Sequence, residues 1–196
     1  MYLLKVLYKS IIAPLEVFRK DHIEGRLSAS IAIILITALL GSIIAPVVRF
    51  YMNKGQYEIH LHLDRMFIAF FVTIGTWLIV CISFWLWSKA FNKDLEFRQV
   101  ISIWGLSYMP NLICVILYNL LSIAPELGRE SNILAFILSS LFIMLLVWKA
   151  IYYFVFMRFV INTTLFEISL ITMASTVLFV ILMMVGFNVG IQVPML

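Results

Sequence analysis

The sequence predicts an all-α integral membrane protein, a bundle of five transmembrane helices preceded by an N-terminal amphipathic interfacial helix, and three observations predict it. Of 196 residues, 64% are hydrophobic and only 12% charged; a soluble domain would be near half apolar and a quarter charged. The mean hydropathy is +1.08. The apolar residues gather into five runs, 27–48, 66–87, 100–124, 133–156 and 165–189, each near the roughly 20 residues that cross a bilayer. Little chain remains for anything else, so the domains expected are an interfacial segment over 1–26 and one membrane domain over 27–196.

In the first segment Leu3, Leu4, Leu7, Ile11, Leu15 and Phe18 recur at spacings of three and four, with Lys5, Lys9, Glu16, Arg19 and Lys20 left to the other side. That is the pattern of a helix lying in the interface or docked on a partner, divided by Pro14. No small-residue cleavage site follows a short apolar core, so 27–48 is expected as an uncleaved span. Within it Ala38 and Ser42 form a small-xxx-small pair that allows close helix approach, and Pro46 helps end it. Between the first two spans, Glu58 to Asp64 alternates polar and apolar, which on a strand would line up Glu58, His60, His62 and Asp64. His60 and His62 are weak metal candidates, because four successive strand positions rarely converge on one ion; an interfacial loop or short hairpin is the expectation.

The second span carries Thr73, Gly75, Thr76 and Ser83 for helix contacts and ends in Trp85, Trp87 and Lys89 as an interfacial anchor. The third is broken in its middle by Gly105, Ser107, Pro110 and Asn111. Pro110 has no N–H for the carbonyl of Leu106, so the helix should bend there, with Ser107, Tyr108 and Asn111 at hand to satisfy freed backbone groups. A polar patch in hydrocarbon belongs at the bundle centre, so Gly105, Ser107, Tyr108, Pro110 and Asn111 are candidate contact residues. The turn 125–130, with Ser131 as N-cap, makes spans three and four antiparallel neighbours.

Lys149 is the one charge deep in an apolar run, costing about 2.5–3.5 kcal/mol at a helix centre. No carboxylate lies inside another span to pair with it. Snorkelling toward Arg158, about 13 Å along the helix, is the structural expectation; binding a lipid phosphate is the functional one, and Lys149 joins the candidate site. Gly186, Asn188 and Gly190 end the fifth span. Cys81 and Cys114 lie inside spans and are expected as small apolar fillers.

Three places together resemble the Yip1-domain family of polytopic membrane proteins. Gly105-x-Ser107-x-x-Pro110 is similar to that family's third span. Ile11-Ile12-Ala13-Pro14-Leu15-Glu16-Val17-Phe18 resembles its amphipathic lead-in, and Val147-Trp148 with Phe166-Glu167-Ile168-Ser169 resembles its fourth-to-fifth-span region. Leu106 stands where an aromatic is usual, Phe156, Met157 and Arg158 where a small residue is, and the D-L-x-G-P signature of eukaryotic members is missing. With no long polar N-terminal domain either, a bacterial-type member is implied, and with it partnership with ABC-type exporters or envelope-stress systems.

Lys and Arg number nine on the side of the N-terminus, the second loop and the fourth (Lys5, Lys9, Arg19, Lys20, Arg26, Lys89, Lys93, Arg98, Arg158). The other side has four, Arg49, Lys54, Arg65 and Arg129. The excess places the N-terminus in the cytoplasm and the C-terminus outside, in a bacterial inner membrane. No nucleophile stands beside a base, no His-Glu-x-x-His, paired intramembrane carboxylates or phosphate loop occurs, and the five spans show no inverted halves. The function expected is a non-enzymatic scaffold or accessory subunit without cofactor; the alternative is a small-solute or lipid transporter or channel. Its partners would be the lipid bilayer, an ABC-type transporter or other membrane protein, or a second copy of the chain, and not nucleic acid.

Overall fold

The computed structural model describes residues 8, 24–52, 62–123 and 132–188. These residues are helical apart from short turns, and five of the helices are long and apolar enough to cross a membrane. The first span joins α1 (Glu24–Leu39), a π turn (Leu40–Ile44) and α2 (Ala45–Met52). The second is α3 (Leu63–Ala90). The third joins α4 (Phe97–Trp104), a 3-10 turn (Gly105–Tyr108) and α5 (Met109–Ile123). The fourth is α6 (Asn132–Val155) with a π turn (Phe156–Val160), and the fifth is α7 (Leu165–Asn188).

The third span is the centre, as its polar break predicts. Its apolar window is 67% buried, against 33%, 39%, 28% and 17% for the first, second, fourth and fifth. Helix α4 and the 3-10 turn pack on α1, α4 also on α3, and α5 on α1, α2 and α6. Helix α7 lies outside, against α3 and the second π turn. Aromatic rings fill the junction of spans two, three and four. Phe84 and Trp104 meet edge-on at 4.7 Å between centroids, and Phe156 lies 5.5 Å from the first and 5.3 Å from the second. Such pairs contribute about 0.5–1.5 kcal/mol beyond the area they bury.

Two turns at one end of the bundle are tightly hydrogen-bonded. Asn92 takes a left-handed φ of 53° after α3, Lys93 N–H donates to the Ser88 carbonyl at 2.8 Å, and the backbone N–H of Glu96, the N-cap of α4, donates to Gln99 Oε1 at 3.2 Å. At the other turn Asn162 has φ 62° and the Thr163 hydroxyl donates to the Met157 carbonyl at 2.6 Å. Thr164 and Glu167 then form a reciprocal cap, with Thr164 N–H on Glu167 Oε2 at 2.7 Å and Glu167 N–H on Thr164 Oγ1 at 3.3 Å. Lys93 approaches Glu167 at 3.7 Å and joins the two turns, which places both on one membrane face.

Several expectations change. Pro46 does not end the first span: Ala45 N–H reaches back to the Leu40 carbonyl in a wide π turn, which takes the proline that follows without breaking the helix, and α2 continues to Met52. The alternating stretch does not stay extended through Asp64, because Leu63 and Asp64 already belong to α3 with His62 at its N-cap. Gly75 has nothing within 4 Å of where a Cβ would stand, so it is not a close-contact position. The Thr73 hydroxyl bonds its own helix, donating to the Ala69 carbonyl at 2.8 Å. The amphipathic segment up to residue 23, apart from Tyr8, and the turn 124–131 lie outside the described residues.

Candidate functional site

The break in the third span is a tightened turn. Met109 N–H donates to the Leu106 carbonyl, which Pro110 cannot serve, so a backbone donor one residue earlier replaces the missing one. The Ser107 hydroxyl, expected to help there, instead donates to the Trp104 carbonyl at 2.7 Å. Gly105 sits where the third span crosses the first. A Cβ on it would overlap Ser30 Cβ and stand 2.9 Å from Ser30 Oγ, so only glycine fits. The Ser30 hydroxyl donates across this contact to the Ser102 carbonyl.

Beyond the turn, Asn111 and Tyr108 meet Lys149. The ammonium donates to Asn111 Oδ1 at 2.9 Å and stands 4.6 Å from the centroid of the Tyr108 ring. Tyr108 is 1% exposed and Asn111 4%, so both partners are withdrawn from lipid. Lys149 is the eleventh residue of the 22-residue window Ser139–Val160, which puts this group near the middle of the membrane. The side chain therefore turns into the bundle and does not snorkel toward Arg158, whose guanidinium donates to the Thr163 carbonyl at 2.7 Å. A neutral amide and a ring face cannot neutralise an ammonium; they replace part of its hydration. Among the described residues Lys149 makes no ion pair.

Of the sequence candidates, Tyr108, Asn111 and Lys149 form one cluster, while Gly105 and Ser107 act behind it as packing and turn residues and Pro110 sets the turn. His60 lies outside the described residues, and among those described no group of His, Cys, Asp and Glu could hold a metal ion. Cys81 is buried and free, Cys114 half-buried and free. The meeting of Lys149 with the third span was open to inference: both residues lie near mid-span in helices expected to be antiparallel neighbours. The aromatic junction carried no such signal, because Phe84, Trp104 and Phe156 read as ordinary apolar positions.

The fold and this buried mid-span cluster define a polytopic helical membrane protein with a polar centre. The model of the Yip1 domain matches residues 8–187. The chain therefore belongs to the Yip1 domain family. Comparison with curated proteins and comparison with solved structures gave no match.

Proposed function

We propose that this Yip1-domain protein is a non-enzymatic scaffold or accessory subunit of a bacterial plasma membrane, assisting a membrane transport or envelope-stress system through helix and lipid contacts. The observation that supports it is Lys149, a cation at the middle of an apolar span held, among the described residues, by Asn111 and Tyr108. Burying it is costly for stability alone, and a group of a partner or lipid that takes up the remaining charge would offset that cost. The nine-to-four distribution of Lys and Arg supports an N-terminus in the cytoplasm and a C-terminus outside. Single cysteines at Asn53 and Asn92, in a chain with Cys81 and Cys114 replaced, should label from opposite sides; labelling from one side overturns that orientation.

The contact role is tested by purification from native membranes in mild detergent, with the accompanying proteins and lipids identified. Lys149→Met should lose the partner or lipid held at this cluster while its melting temperature stays level or rises, because a costly charge is gone. A Lys149→Met protein that keeps its full complement overturns the proposal.

A further inference from the structure

A second feature lies away from Lys149, on the membrane face that carries the Asn92 turn. The starts of spans one and three and the flank of span two enclose an open cavity of about 460 Å³, walled by apolar side chains including Leu27, Ile31, Leu35 and Leu78, with Arg98 at its rim. Its volume falls in the range of roughly 300–1,000 Å³ typical of sites for small molecules. From Leu27 to Leu35 it follows the first span for about 12 Å at 1.5 Å per residue, from the end of the helix inward.

Arg98 is the unspent charge here. Lys89 approaches Asp94 at 3.9 Å and Lys93 approaches Glu167 at 3.7 Å, whereas Arg98 is exposed and has no ion pair among the described residues. Glu96, two residues before it, is turned to the start of α4 as its N-cap. The wall also holds Trp77, 5% exposed.

We infer that this groove binds one anionic phospholipid, its acyl chain against the apolar wall and its phosphate on the Arg98 guanidinium. The shape selects the occupant. A transmembrane helix, about 10 Å across, is too wide for a cavity of this size, and a soluble anion would gain nothing from an apolar wall. A single acyl chain suits the wall, and the phosphate matches the planar fork of an arginine. Basic side chains at such depth favour anionic over zwitterionic headgroups by about fivefold each.

The test counts lipids retained by the full chain in native mass spectrometry after titration with phosphatidylglycerol or phosphatidylcholine. The parent should retain one phosphatidylglycerol with about a fivefold preference. Arg98→Gln should bring the two lipids to parity, and filling the groove by Leu78→Trp should lower retention of both. Leu35→Trp repeats that arm at a second lipid-facing wall position in case the first variant folds poorly. Lys149→Met should leave the preference intact, which separates this site from the mid-span cluster. Equal retention by the parent, an unchanged preference in Arg98→Gln, or unchanged retention in both filled variants would overturn the inference.

Discussion

The third and fifth spans have apolar windows of equal length, 21 residues, and the fifth is the more hydrophobic, with hydropathy 2.5 against 1.8. Yet 67% of the third is buried inside the bundle and 17% of the fifth. In water the ranking would be reversed. Lipid tails are as apolar as leucine, so no hydrophobic force draws the fifth helix inward. Backbone and side-chain polar groups have partners only inside, so the helix with a glycine, a proline and an asparagine in its middle becomes the centre. Polarity and small size, more than hydrophobicity, set the order of burial.

That comparison can be broken at Gly105. Gly105→Ala should lower stability by about 3 kcal/mol through overlap with Ser30, read by thermal or denaturant unfolding in mild detergent. Ser30→Gly in the same chain should recover most of the loss, since it removes the atoms the new methyl meets; failure to recover would place the strain elsewhere. Pro110→Ala should come next. It supplies the N–H that lets the 3-10 turn relax to α, and helix propensity then gains up to about 3 kcal/mol, opposed by distortion of the Asn111–Lys149 hydrogen bond. The net change should stay within about 1 kcal/mol of the parent, with the accompanying partner or lipid lost. A stable variant that retains them would limit the turn to packing. On the fifth span, Met173→Ala, at a side chain 77% exposed, should change stability by less than about 0.5 kcal/mol; a larger loss would show that this face is covered.

The helices were legible because a run of apolar residues long enough to cross a bilayer has few other uses. Their ends and irregularities were less so. The residues from Leu63 and Phe97 precede the apolar runs but join the helices, because an N-terminal turn needs a cap more than it needs hydrophobicity. The π turn before Pro46 had no mark beyond the proline itself, which sequence reading takes as a stop. At the site, composition singled out Tyr108, Asn111 and Lys149, since polar groups in hydrocarbon are rare. It pairs Lys149 with nothing because no other span carries a carboxylate at its middle, whereas the structure uses an amide and a ring. The Arg98 groove was illegible: its wall residues are those of any lipid-facing helix, and only their arrangement makes a hollow.

The 3-10 turn at Gly105–Tyr108 also acts as a phase shift along the third span. Each of its residues turns the chain about 120° where an α-helix turns 100°, so four of them advance every later side chain by about 80°. Ser102 and Asn111, nine positions apart, would point about 180° apart on an unbroken helix and point about 100° apart here. Before the turn the rod packs on the first and second spans, and after it Asn111 reaches Lys149 of the fourth, so a single rod addresses neighbours at angles that an ideal helix of the same sequence would not give it.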